Sequence, residues 1–216
     1  MPLSPLREGR LTASNFAAAM GLSRYSSRAK VFREMTGRVE AFKGNAATRW
    51  GQRHEPRAVA DYERLLGTAI NASGEEQDFH IHRDHDWLGC TPDGFTEERL
   101  VEIKCPYSEK PFDLDRLRFE YMPQVQGQME IVGLEEVDLV CWTRQRIDVW
   151  RIARSRDYWD WMLGLLCEFK GFLDSDTPPP RMRGKPTFGD TIRVRRFRLS
   201  PDTVPAGDPA PMLSAP

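Results

Sequence analysis

Glu102 and Lys104 stand two apart in the segment Leu100 to Cys105, between the apolar residues Val101, Ile103 and Cys105. The period of two in a strand puts the carboxylate and the ammonium on one face, about 7 Å apart, and the apolar residues on the other. E-x-K by itself arises by chance on the order of once per 280 positions, so its setting carries the argument. Three features supply that setting. The strand alternates cleanly, Thr91-Pro92-Asp93-Gly94 ends the strand before it, and a hairpin through FTEER returns Asp93 beside Glu102. A third carboxylate, Glu55, precedes Val59, Tyr62 and Leu66 by 4, 7 and 11 positions, on the inward stripe of a helix. Clustered carboxylates without a neutral nitrogen ligand suit a hard divalent ion, Mg²⁺ or Mn²⁺, better than zinc. Such ions clamp phosphoryl groups and activate water, and a neighbouring lysine can orient that water, take its proton or neutralise charge. Phosphodiester hydrolysis is the chemistry this set of groups can perform.

The elements that must position these groups follow from local signals. Ser14 before an alanine-rich stretch predicts one short helix, and Ser27 before AKVFREMTG, with Gly37 as a stop, predicts another. A longer helix runs from Asn45 to Leu66, closes at Gly67, and should kink or restart at Pro56. DFHIH, DWLGC and RLVEIKC read as antiparallel strands of a meander. A helix opened by Pro123 follows, then the strands VDLVCW and RIDVWRI and an amphipathic helix from Ser155 to Leu173. This order predicts a mixed α/β domain, a central mixed sheet flanked by helices, over residues 1–180.

The chain has 216 residues with 31 basic and 32 acidic side chains, a net charge of −1, which excludes a simple cationic nucleic-acid coat. Residues 181–198 depart from that balance, with seven basic groups against Asp190. This run reads equally as a solvated tail or as a phosphate-contacting segment. Residues 199–216 carry five prolines and few large apolar groups, and disorder is the expectation there. No apolar run reaches the ~20 residues of a membrane span, and Met1 to Arg10 lacks the apolar core of a signal peptide, so the cytosol is the expected compartment. Cys90, Cys105, Cys141 and Cys167 form no C-x-x-C pair and read as reduced side chains.

Four blocks in order, LTASNFAAAMGLSRYSS, NAATRWGQRHEPRAVADYE, LGCTPDGF…LVEIKCPYS and YMPQVQGQMEIVG, resemble the YqaJ-type viral recombinase family, the phage alkaline exonucleases that include lambda exonuclease. The resemblance spans roughly residues 6–143. It implies a restriction-endonuclease-like (P-D…E-x-K) fold and Mg²⁺-dependent, 5′ to 3′ digestion of double-stranded DNA ends. It further implies that Mn²⁺ can substitute and that two ions act in the catalytic complex. On that basis the 3′ overhangs are expected to serve a single-strand annealing partner, and the protein is expected to work as a closed homotrimeric ring in a bacterial host, phage or prophage encoded. By the same resemblance Asp93 and Glu102 are metal ligands together with the Ile103 carbonyl. Lys104 is the catalytic lysine, Glu55 the helix glutamate near the second metal, and Gln124 the active-site glutamine. Arg7, Ser14 and Thr91, with Gln124, align with residues that bind the terminal 5′ phosphate, Thr91 standing where a serine is usual.

Other readings stay open on these residues. A metal-dependent endonuclease would share the same centre, and a non-catalytic DNA-binding or assembly module would share the fold. His80-Ile81-His82-Arg83-Asp84-His85 spells H-x-H-x-D-H, the zinc signature of metallo-β-lactamase-type hydrolases, though no histidine follows it to complete such a site.

Overall fold

The computed structural model describes residues 5–40, 42–72 and 78–199, so the expectation of a disordered tail over 199–216 falls outside the described residues for all but Leu199. The elements in chain order are β1 (Leu11–Thr12), a 3-10 turn (Ala13–Asn15), α1 (Phe16–Ala19), α2 (Arg28–Met35), α3 (Ala46–Leu66), β2 (Asn71–Ala72), β3 (His80–Ile81), β4 (Leu88–Cys90) and β5 (Gly94–Phe95). There follow β6 (Leu100–Lys104), α4 (Leu114–Arg116), a π-helical turn (Leu117–Tyr121), α5 (Met122–Val132), β7 (Glu136–Trp142), β8 (Ile147–Ala153), α6 (Arg156–Asp174) and β9 (Val194–Leu199).

Six strands form one sheet in the order β2-β5-β6-β7-β8-β9, with β6 and β7 parallel and every other pair antiparallel. Alternation along the strands divides the core in two. Val101, Ile103, Val140, Trp142, Ile147 and Val149 face α3, where Ala58, Tyr62 and Leu65 meet them. Leu100, Val137, Leu139, Cys141, Trp150 and Ile152 face α1, α5 and α6. A sheet covered on both sides tolerates a parallel pair at its centre. Close approach on the second face depends on Gly127 of α5, where an added Cβ would lie 2.4 Å from the buried Phe16 ring. A buried polar cluster ties α3 to the sheet. The Tyr62 hydroxyl donates to Asp138 at 2.7 Å, and Arg151 donates to the same carboxylate through two nitrogens, each at 2.8 Å. Removing Arg151 would leave the buried Asp138 without its counter-charge, at a cost of about 3–5 kcal/mol.

Several sequence expectations hold because their causes are local. Ser27 and Ser155 accept from the backbone amides of Lys30 and Tyr158 at 3.2 Å each, and Asn45 and Thr48 form a reciprocal cap. Gly67 closes α3 in the left-handed conformation at φ 63°.

Others are corrected. The helix expected after Ser14 is only the four residues of α1, behind a 3-10 turn that contains Ser14, whose hydroxyl meets Thr12 Oγ1 at 3.1 Å and caps nothing. Phe16 to Met20 are all buried, so no polar face supports a longer helix. Pro56 does not restart α3, which runs unbroken from Ala46 to Leu66 because its packed face offsets one missing amide. The buried stripe of α3 runs through Ala58, Asp61, Tyr62 and Leu65, with Val59 and Leu66 at its margin. The meander splits between two sheets: β3 and β4 join β1 in a separate sheet of order β1-β4-β3, with β1 parallel to β4. Pro123 does not open a free helix; α5 continues from α4 through the π-helical turn, whose widened ladder falls just before the residue that lacks an amide. In the basic run, Val194 to Leu199 form β9 against β8. There Arg196 and Arg198 join Arg146 around the fully buried Asp148.

A candidate active site where β5 and β6 diverge

The β5–β6 ladder pairs Phe95 with Leu100 and Gly94 with Val101, so its next step sets Asp93 opposite Glu102. The ladder stops at that step. Asp93 Oδ2 replaces the missing strand partner and accepts the Ile103 amide at 2.6 Å. Within a strand the N–H and C=O of one residue point to the same side, so the Ile103 carbonyl shares this opening.

Glu102 is 2% exposed, whereas the sequence left its face free of the core. It survives burial through three donors. Oε1 accepts from Lys104 Nζ at 2.5 Å and Gln124 Nε2 at 2.6 Å, and Oε2 accepts from Gln128 Nε2 at 2.7 Å. Gln124 and Gln128 lie one turn apart on α5 and straddle one carboxylate, while Gln126 faces away and secures the start of α6 through the Ser155 amide and the Ala153 carbonyl. Gln128 was missed by sequence reasoning, although the i, i+4 pair in QVQGQ carried the signal. The Tyr121 ring lies 5.6 Å from Lys104 Nζ.

The electrostatics are those of a crowded acidic site. Burial raises the Asp93 carboxyl well above the usual range, and the charge of Glu102 raises it further. Burial also raises Glu55, with Glu102 again adding to the shift. Burial pushes the Lys104 ammonium down, but Glu102 and Asp93 push it further up, so it stays protonated at neutral pH. With both carboxylates charged and no cation between them, Lys104 is held as a cation beside Glu102. The adjacent Cys105 thiol is pushed up to about 12 by burial and then by Glu55, so it supplies no thiolate nucleophile.

Glu55 reaches the group from α3, on the opposite layer from α5, and acts on it through its field rather than through a direct bond. Among the described residues Glu55 pairs with neither Arg53 nor Arg57, and Arg57 instead pairs with Asp61 at 3.1 Å. No three acidic, histidine or cysteine side chains among the described residues form a ready-made metal shell. Even so, the donor set is uniformly hard. Asp93, Glu102 and Glu55 are carboxylates held against mutual repulsion, which a divalent cation relieves, so these residues fit Mg²⁺ or Mn²⁺.

The second group of sequence candidates assembles beside the first. Arg7 Nη2 donates to Thr91 Oγ1 at 2.7 Å across 84 positions, and its guanidinium lies 5.5 Å from the Phe79 ring. Thr91 is two residues from Asp93, whereas Ser14 lies in the 3-10 turn after β1 with its hydroxyl against Thr12 Oγ1, and among the described residues no hydrogen bond joins it to Arg7 or Thr91. Gln124 is held by Glu102 and belongs to the carboxylate group.

The histidine signature folds into a turn, and among the described residues its side chains belong to no cluster of three metal-ligating groups. His82 is 7% exposed and stacks on Trp159 at 5.2 Å and 8°. Its Nδ1 accepts the amides of Asp84 and His85 at 3.0 and 3.2 Å, a role that fits the neutral ring favoured by its burial.

A sheet that carries Glu102 and Lys104 on β6, with Asp93 just ahead of the adjacent β5 and with α3 and α5 on its two faces, defines a nuclease with a restriction-endonuclease-like core. The chain belongs to the YqaJ-like viral recombinase domain family, whose sequence profile matches residues 4–135. An alkaline exonuclease from Laribacter hongkongensis (LHK-Exo) is 26% identical, with a TM-score of 0.62 over 79% of this chain and 90% of that one. Its complex with dAMP matches at 25% identity, a TM-score of 0.62 and the same coverage. A phage-related exonuclease from Haemophilus somnus shares the fold at 16% identity, with a TM-score of 0.61 over 77% of this chain and 94% of that one. No curated protein sequence matches significantly.

Gln128→Ala is expected to slow digestion by about 10-fold without unfolding the protein, because Glu102 keeps two donors but loses the one that fixes Oε2. Steady-state rates alongside thermal melting check this; an unchanged rate would remove Gln128 from the site.

Proposed function

We propose that the protein is a Mg²⁺-dependent exonuclease that digests double-stranded DNA from 5′ ends and leaves 3′ single strands for an annealing partner. The observation that carries this reading is the placement of Asp93 opposite Glu102, with Lys104 bonded to Glu102 and the Arg7–Thr91 pair next to them. The likeness to an alkaline exonuclease solved with dAMP supports it.

Asp93, Glu102, the Ile103 carbonyl and Glu55 would hold up to two ions. Bound there, Mg²⁺ supplies a low-pKa water and neutralises phosphoryl oxygens. Gln124 and Gln128 keep the Glu102 carboxylate in one orientation, and Lys104 holds a positive charge where negative charge develops on the phosphoryl group. Arg7, Ser14 and Thr91 receive the terminal 5′ phosphate. A terminal monoester carries more charge than an internal diester, so a guanidinium with hydroxyls beside it distinguishes the two. Seating that phosphate fixes the next diester over the carboxylates, and each cut creates a new 5′ phosphate. A homotrimeric ring around the duplex would replace bulk attraction, which a net charge of −1 does not provide.

End-labelled linear duplex and closed circular DNA, each incubated with Mg²⁺ and with EDTA, test the reading. Loss of label from the linear form alone, stopped by EDTA, is the expected result; cutting of the circle would make the enzyme an endonuclease. Arg7→Ala is expected to slow digestion of 5′-phosphorylated duplex by about 10-fold and to narrow the gap to 5′-hydroxyl ends. Wild-type enzyme that treats both ends alike, or starts from 3′ ends, would place the phosphate elsewhere.

A further inference from the structure

A series of four rings leads from the core to solvent at the N-terminal half of α3. Trp142 is buried and donates its indole N–H to Asp61 at 2.9 Å. His54 stacks on Trp142 at 5.5 Å, Trp50 lies 3.9 Å from His54, and Tyr107 meets Trp50 edge-on at 5.7 Å and 88°. Tyr107, the outermost ring, is 60% exposed. Its loop is fixed from the other side, because Glu109 accepts the Arg144 amide at 3.1 Å and pairs with its guanidinium at 3.0 Å. That guanidinium in turn lies 5.5 Å from the Trp50 ring.

Arg49 and Arg53 run beside the Trp50–His54 row, one turn apart on the same helix. With Ala46 and Trp50 they line a concavity of about 400 Å³. Among the described residues neither has an ion pair, although Arg57, one turn on, is paired with Asp61. Like charges at this spacing destabilise a helix. Folding accounts for the inner rings, Trp142 and His54. It gives no reason for an exposed tyrosine or for two unpaired arginines. The location is also specific: Trp50 and His54 sit within five residues of Glu55, and Tyr107 follows Lys104 by three.

We propose that Trp50 and Tyr107, with Arg49 and Arg53, form a stacking site for unpaired bases of a DNA strand beside the catalytic cleft. Ring faces take the bases and the arginines take the backbone phosphates. Bases inside a duplex are already stacked on one another, so the site selects single-stranded DNA and is tolerant of sequence. The inference rests on the nuclease reading and adds a place for the strand outside the carboxylates.

The test is fluorescence anisotropy with the full chain in EDTA, using labelled oligodeoxythymidine, an abasic oligomer of equal length and a blunt duplex. Tyr107→Ala, an exposed position, is expected to weaken oligodeoxythymidine binding about 10-fold while changing the abasic oligomer and the duplex by less than about 2-fold. The double variant Arg49→Gln/Arg53→Gln should weaken both oligomers and reduce the salt dependence of log K by about 1.4, from two lost phosphate contacts at ~0.7 each. Unchanged oligodeoxythymidine binding by Tyr107→Ala overturns the stacking site, as does an equal loss on the abasic oligomer. Mg²⁺-dependent digestion by the wild-type protein, measured in parallel, separates the two ideas: its absence sinks the nuclease reading, whereas its presence with unaltered strand binding sinks only the stacking site.

Discussion

Asp93→Asn is expected to lower the rate of duplex digestion by about 10³-fold and, in EDTA, to raise the melting temperature of the protein by a few degrees. The two effects share one cause. Asp93 is a buried carboxyl held well above the usual range by desolvation and by Glu102, with the Ile103 amide bond only partly compensating. At pH values between the ordinary carboxylate pKa and the raised one, the folded protein holds a proton that the unfolded chain has released. Stability therefore falls as pH rises through that window. Asparagine keeps an oxygen for the Ile103 amide and has nothing to ionise, so its advantage should be small at about pH 4 and grow toward neutral pH. Added Mg²⁺ reverses the order, stabilising the wild type by mass action and leaving the variant unchanged. Melting curves in EDTA and in Mg²⁺ across pH check all three points. A variant that is less stable than wild type in EDTA at neutral pH would show that Asp93 is a structural turn residue and not a strained ligand.

Lys104→Ala should cost about 10²- to 10³-fold in kcat, with the fold intact. Its side chain is 25% exposed and fills no apolar space. Burial and Glu102 raise the Asp93 carboxyl, so the rate is expected to rise with pH as the carboxyls ionise. Methylammonium in the buffer should recover part of the lost rate, since it returns a small cation to the vacated volume, whereas a neutral amide of similar size should not. Activity near the wild-type rate in Lys104→Ala would dissociate the lysine from catalysis. An alkaline decline set in at neutral pH would mean that Lys104 loses its proton during the cycle.

Much of this arrangement is legible in the sequence. Caps at Ser27, Asn45 and Ser155 and the stop at Gly67 are events within one helical turn, so neighbouring residues suffice to predict them. The alternation around Glu102 and the Pro-Asp-Gly turn are equally local, and together they set Asp93 across from Glu102 before the ladder was known. Arg7, Ser14 and Thr91 are different. Nothing local joins residues 84 positions apart, and only the likeness to a family of known exonucleases singled them out.

Sequence by itself thus determined which groups stand together: Asp93 across a turn from Glu102, Lys104 on the same strand face, and Glu55 on a neighbouring helix. The tertiary structure alone decided their state. It closed the Glu102 face with Gln124 and Gln128, and so turned a carboxylate expected on an open face into a buried one with three donors. It placed the arginines of β9 around Asp148 and folded the histidine signature into a turn around His82. The physical reason is the same each time. Hydrogen-bond capacity and charge are properties of a residue, but burial and the partner that satisfies them depend on which distant segment packs against it, and that is settled only when the layers close.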